Sequence, residues 1–366
     1  MTTRRNLLAA GGALAGSAFA PADLRLASYD TSASGRMRLW DNATGPHLRG
    51  AVFAQRRVYP ELDGTTFLGP GPLGAPVSQA ALDSLAETGA NLAVWSGAGV
   101  FAEGGSFAVD PAIEDHIGRW LEMCRRAGLY TVIGFRTGPG RSAFAFHPDD
   151  DWYPRRLLNN SVWRDEEAQA AWVAMCLHAA RRFGPHPALA GILAMVEPNG
   201  SDLGQPGVWP AMAAAIDRNW PQASGVPLIL SPDRWARAEA LGAMQPVSAH
   251  TVINVHDYAP WDYTHQGEGA GVRLNGDGRH VAEAMTGYPR WTCLEFGAAL
   301  HAPDLGQYFQ TRIAALESAG ASWAVFRWPS GWDAYETRET GMNVTLSRDA
   351  LNALRAAYSR NREGPG

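Results

Sequence analysis

The chain has 366 residues, 46% of them hydrophobic and 18% charged, which is enough apolar material for a sizeable core and excludes a disordered or fibrous protein. Its formal charge is −5 and no basic run extends beyond arginine pairs, which argues against a nucleic-acid or anionic-membrane partner. All 31 basic residues are arginine, so chemistry through a lysine Schiff base is excluded.

Residues 1–20 read as an export address. Thr3-Arg4-Arg5-Asn6-Leu7-Leu8 begins a twin-arginine pattern, an apolar small-residue stretch follows, and Ala18-Phe19-Ala20 supplies a small-x-small cleavage site. The expectation is a signal peptide and a mature protein that is periplasmic or secreted, without membrane attachment. Residues 21–47 are polar and read as irregular. Cys124, Cys176 and Cys293 have neither disulfide-framework nor metal-ligand spacing and read as core residues.

From residue 48 onward, strand-like and helix-like segments alternate eight times. Short apolar runs occupy residues 48–54, 91–95, 129–135, 190–196, 226–230, 252–256, 291–295 and 321–327. Between them lie segments with helical periodicity at 77–87, 165–183, 208–219, 233–244, 278–285, 303–318 and 347–358. The clearest carries Ile113, Ile117, Leu121 and Cys124 on one face. Near-continuous apolar strands alternating with amphipathic helices imply a parallel sheet covered on its outer face. Eight units favour closure, so the predicted fold is a single-domain α/β (β/α)8 TIM barrel over residues 48–360.

One connection is unusually long. Residues 136–160 lack periodicity and hold His147, Asp149, Asp150, Asp151, Trp152 and Tyr153. Loops after barrel strands lie on the catalytic face, so this one is a candidate cleft wall. Its aspartate cluster reads as a solvated acidic loop rather than a calcium site.

Two glutamates stand at ends of buried strands. Glu197 directly follows the fourth apolar run, and Glu295 closes the seventh. A carboxylate there is costly to desolvate unless it has a task. Strands three units apart face each other across a barrel mouth. One carboxyl could then protonate a leaving oxygen while the other attacks an anomeric carbon, for which a separation of about 5–5.5 Å is suitable.

The chain resembles glycoside hydrolase family 5, among the cellulase-like clan A barrel glycosidases, over roughly residues 48–335. The resemblance is carried by Leu48-Arg49-Gly50, Glu87-Thr88-Gly89-Ala90-Asn91, Trp163-Arg164-Asp165 and Arg182-Phe183-Gly184-Pro185-His186-Pro187. It continues through Val196-Glu197-Pro198, His256-Asp257-Tyr258, Tyr263-Thr264-His265-Gln266-Gly267, Leu294-Glu295-Phe296-Gly297 and Phe326-Arg327-Trp328. It implies a retaining O-glycosyl hydrolase acting on a β-linked glycan or glycoside, without a cofactor or metal. Glu197 would be the acid/base and Glu295 the nucleophile. Tyr258 would hydrogen-bond the nucleophile with His256 beside it, and Trp328 would be the platform beneath the −1 sugar.

The sequence departs from the family pattern at three strand ends. Val196 stands where the family has asparagine before the acid/base, Val94-Trp95 where the second strand delivers arginine, and Phe135-Arg136 where the third delivers histidine. Arg136 and Asn199 are the candidates to fill these vacancies. Trp95, Trp152, Trp209, Trp235, Trp261, Trp328 and Trp332 lie in or near strand-end loops, with Trp95, Trp152 and Trp261 taken as candidate saccharide contacts. The alternative function is a carbohydrate-binding barrel that has lost turnover. A metal-dependent hydrolase is disfavoured, because no His-x-His or other strand-end ligand set is present.

Overall fold

The computed structural model describes residues 33–361 apart from 65, 67, 70, 245–247 and 331–340. The expected signal at 1–20 and Trp332 therefore lie outside the described residues.

Eight parallel strands close into a barrel: β1 (Arg49–Ala54), β2 (Leu92–Ala98), β3 (Tyr130–Thr137), β4 (Leu189–Leu193), β5 (Leu228–Leu230), β6 (Thr251–Asp257), β7 (Trp291–Phe296) and β8 (Ser322–Val325). Their order around the barrel follows the sequence, and β1 closes it by pairing with both β8 and β2. This is the expected single-domain (β/α)8 fold.

Strand side chains alternate between two apolar compartments, which explains why the strands read as continuous apolar runs. Val52, Leu92, Val94, Val132, Ile229, Val252 and Leu294 fill the lumen. Phe53, Ala93, Trp95, Ile133, Ile192 and Cys293 face the helices. Burying each large apolar side chain contributes roughly 1.5–3 kcal/mol. The three cysteines are buried and unpaired.

The outer layer holds α1 (Gln79–Ala86), α2 (Pro111–Ala127), α3 (Glu166–Phe183), α4 (Val208–Arg218), α5 (His280–Ala284), α6 (Leu305–Ser318) and α7 (Arg348–Tyr358). Helix α2 shows why the local sequence folds this way. Asp110 caps it by accepting from the amides of Ala112 and Ile113, Pro111 opens it, and Gly128 ends it at φ 68°. Its buried face is Ile113, Ile117, Trp120, Leu121 and Cys124. Among the described residues no helix is long and apolar enough to cross a membrane.

Two segments depart from the sequence reading. Residues 233–244 are not a regular helix. They form a strap, Asp233–Ala236, in which Arg234, Trp235 and Ala236 have φ near 60°, followed by a 3-10 stretch at Ala238–Met244. Residues 33–47 are not simply irregular either. A helix at Ala33–Arg38 leads into Leu39 and Trp40, which join the lumen core from the barrel's N-terminal face. There the Trp40 indole donates to Ala190 O at 3.0 Å, and Asn42 Nδ2 donates to Trp291 O at 3.1 Å. With that end plugged, the C-terminal mouth is left open.

Candidate active site

The C-terminal mouth opens into a cleft of about 890 Å³ that contains both Glu197 and Glu295. Glu295 is the penultimate residue of β7, and the β6–β7 register sets it opposite His256. Glu197 lies just beyond β4, where the amide of Val196 still donates to Phe135 O at 2.9 Å. Glu197 has φ 50°, a left-handed conformation that costs a non-glycine residue roughly 1–3 kcal/mol. Buried Arg141 holds this turn in place, with Nη1 donating to Val196 O at 2.6 Å and Nη2 to Glu197 O at 2.7 Å.

One carboxylate oxygen from each glutamate and one ring nitrogen of His256 lie within 4.8 Å of one another. His256 Nδ1 is 3.0 Å from Glu197 Oε1 and 3.7 Å from Glu295 Oε2. Tyr258 donates its hydroxyl to Glu295 Oε1 at 2.7 Å. Among the described residues this trio is also the group able to converge on a cation.

Burial pushes the Glu295 carboxyl up to about 7, against the pull of the His256 charge, and the charge of Glu197 adds to the rise. Burial opposes ionisation of Glu197 as well, but there the His256 hydrogen bond and charge prevail, aided by Arg136 and Arg141, and hold it below the usual carboxylate range. His256 is raised above its ordinary value: burial works against its charge, and Glu295 and Glu197 outweigh burial. Burial and the two carboxyls lift the Tyr258 phenol well above its ordinary value, so it remains a donor. With Glu295 raised and Glu197 lowered, a proton on the unliganded pair is favoured on Glu295 over Glu197, which is hydrogen-bonded to His256.

The remaining sequence-predicted residues divide between cleft and core. Arg136 lines the cleft, its guanidinium 4.1 Å from the centre of the Phe146 ring. Trp261 lines the rim, 59% exposed and stacked on His265 at 3.5 Å. Residues 146–149 of the long β3 loop form a wall, as expected of that loop. Trp152 stands beside that wall against Phe144 and Tyr153 and is not part of the cleft lining. Its neighbour Asp150 accepts from the Trp152 indole at 3.1 Å.

Three expectations are corrected. Trp328 is not a sugar platform: it is 2% exposed, packs in the outer core, and donates its indole N–H to Ser84 Oγ of α1 at 3.2 Å. The eighth-strand aromatic on the cleft is Phe326. Trp95 also points outward, donating to Gln55 Oε1 at 2.8 Å, because its place in β2 faces the helices. Asn199 is buried outside the cleft lining, so it does not replace the asparagine missing at Val196. Val94 and Val196 instead join Phe326 and Met342 in an apolar floor below the carboxyls.

Sequence reasoning missed Arg141, Phe146 and Phe326, while Trp235, one of the strand-end tryptophans it named, does line the cleft. Trp209, also considered, is a core residue.

No protein-family model and no curated protein matches the chain. Solved structures do. The endoglucanase Cel5A of Thermotoga maritima aligns at 17% identity and a TM-score of 0.63, covering 88% of this chain and 99% of that one. Cellulose synthase subunit Z of Clostridioides difficile aligns at 15% and 0.60, covering 84% and 99%. Pseudomonas stutzeri endoglucanase Cel5A aligns at 16% and 0.61, covering 84% and 93%. The chain shares their fold. At these identities the likeness extends to the cellulase-like barrel and no further. The Thermotoga protein has been solved with cellobiose and with mannotriose.

Proposed function

We propose that the chain is a retaining glycoside hydrolase that cleaves a β-linked glycan or glycoside by double displacement, with Glu197 as acid/base and Glu295 as nucleophile. The observation that carries this reading is that one oxygen of each carboxyl lies within 4.8 Å of the other inside one cleft, a proximity compatible with the carboxyl separation of about 5–5.5 Å used in retention. An inverting enzyme needs a gap of roughly 6.5–9.5 Å to seat a water. The shared fold of the endoglucanases, and the oligosaccharides bound by one of them, support a saccharide as the ligand.

In this reading Tyr258 orients the nucleophile and favours its ionised form, while the proton of the pair must reach Glu197 before the glycosidic oxygen leaves. His256 Nδ1 faces both carboxyls, so it can give its proton to Glu197 and take the one on Glu295. Attack by Glu295 on the anomeric carbon then breaks the bond to the leaving oxygen, which takes the proton of Glu197. A water, deprotonated by Glu197, releases the sugar from Glu295. Phe326 offers an apolar ring face to the sugar in the position expected of Trp328. The reading extends to export through the twin-arginine pattern at 1–20, supported by sequence alone.

The test is release of phenol from a panel of β-aryl glycosides. Glu197→Ala and Glu295→Ala should each lower turnover by roughly a thousandfold or more while remaining folded. Azide should restore turnover to Glu295→Ala and give a product of inverted anomeric configuration. Ordinary rates in either variant would overturn the assignment. Saccharide binding without turnover in the wild type would favour the binding-barrel alternative.

A further inference from the structure

The strap after β5 holds the longest run of left-handed non-glycine residues among those described. Arg234, Trp235 and Ala236 lie consecutively in the left-handed region at φ 58°, 64° and 60°, with no glycine among them. Such strain persists only where surrounding contacts over-determine it. Those contacts are present. Asp233 Oδ2 accepts from the amide and hydroxyl of Ser201 at 3.0 and 2.8 Å, and Asp233 Oδ1 accepts from the Arg234 amide at 2.7 Å. The Trp235 amide donates to Pro198 O at 2.9 Å. Pro198 follows Glu197, so the strap is fastened to the backbone turn that carries the carboxyl expected to protonate the leaving group.

This arrangement turns Arg234, Trp235 and Arg237 toward the cleft. Trp235 stands edge-on to Phe146 at 6.0 Å. Arg234 is exposed and only loosely engaged, 3.7 Å from Asp202. The polar lining of the cleft is ionisable rather than amide or hydroxyl. Among the described lining residues there is no Asn, Gln, Ser or Thr. Polar lining comes from three arginines, four histidines, Tyr258 and five carboxyls. Of those carboxyls, Asp257 is paired with Arg312 and His280, and Glu197 and Glu295 both face His256. Arg136 acts on those two glutamates, while Arg234 and Arg237 line the cleft with Asp149 and Glu239. Arginine carries a permanent charge and a planar fork that matches a carboxylate.

Building on the glycosidase reading, we infer that the strap forms a leaving-group subsite for a uronic acid residue, with Trp235 packing on the pyranose ring and Arg234 and Arg237 engaging its carboxylate. The substrate is then an acidic β-glycan rather than a neutral one.

The experiment uses β-linked oligosaccharides containing glucuronic acid, each paired with its carboxyl-reduced neutral counterpart, so that only the carboxylate differs. The wild type should cleave the acidic member with a kcat/KM at least about tenfold higher, and added salt should shrink the preference. In the Arg234→Gln/Arg237→Gln protein the ratio should fall to about one, and in Trp235→Ala cleavage of the acidic member should fall while Trp235→Phe recovers part of it. Equal wild-type rates on the pair, or a preference that survives in the double arginine variant, would overturn the inference. If β-aryl glycosides and oligosaccharides alike are inert, the glycosidase reading fails instead. Calorimetric binding of the same pair then still decides the subsite, and equal affinities count against it.

Discussion

The Tyr258 hydroxyl donates to Glu295 Oε1 at 2.7 Å from just beyond β6, the strand neighbouring that of its acceptor. The phenol is held protonated far above its ordinary range, so the bond is a fixed donor aimed at one oxygen of the nucleophile. A donor to the ionised form lowers a carboxyl pKa, and Tyr258 is one of the few forces opposing burial at Glu295.

Tyr258→Phe removes that donor and leaves the ring. The Glu295 pKa should rise further, moving the ascending limb of the kcat/KM profile to higher pH. Turnover at neutral pH should fall by about 10²-fold, as when one preorganised donor is removed. An unmoved limb would show that the bond does not govern ionisation of the nucleophile.

Arg141 carries a different prediction. It is buried, and it holds the carbonyls of Val196 and Glu197 through two short bonds. Arg141→Leu would bare both carbonyls, at a cost of about 1–3 kcal/mol each, and free the left-handed turn at Glu197. The expected result is a lower Tm together with a fall in kcat of more than tenfold at nearly unchanged KM. A variant that loses Tm but keeps kcat would make Arg141 purely structural.

The sequence made the barrel legible because its strands are buried on both faces and so read as unbroken apolar runs. Glu197 and Glu295 were visible for the related reason that a charge at the end of such a run stands out. The strap was not, because Asp233 has the look of a helix cap and its true partner, Ser201, lies 32 residues away. Nor could the apolar pattern say which eighth-strand aromatic meets the cleft. Phe326 and Trp328 are two apart and would share a face in a regular strand, but β8 ends at Val325 and the alternation lapses there. Arg141 gave no signal at all, since its acceptors are backbone atoms brought near only by the fold.

Those two aromatics can be separated experimentally. Phe326→Leu keeps apolar volume but removes the ring face on the cleft, and kcat/KM should fall roughly 3- to 12-fold. Trp328→Ala empties an outer-core site and should cost about 3–5 kcal/mol of stability. The Trp328→Phe protein should retain the wild-type KM. If KM instead moves with Trp328→Phe and not with Phe326→Leu, the platform has been placed on the wrong residue.

The raised carboxyl of Glu295 fixes the sign of a stability prediction. Its folded pKa of about 7 lies above the ordinary value of 4.5, so between these limits the folded state binds more protons than the unfolded one. Stability from this group is present below pH 4.5 and is lost as pH rises toward 7. His256, also raised, adds a loss that begins above its ordinary value of 6.5. The depressed Glu197 contributes stability that disappears only on acidification below its own ordinary value, so it does not offset the decline. The Tm of the wild type should therefore fall between pH 5 and 8 through this site. Glu295→Gln keeps the shape of the side chain and removes the buried charge, so its Tm at pH 8 should exceed that of the wild type, with a shallower slope against pH. Parallel Tm curves for the two proteins across this range would mean that Glu295 is already ionised at pH 5, and that the proton shared by the pair resides elsewhere.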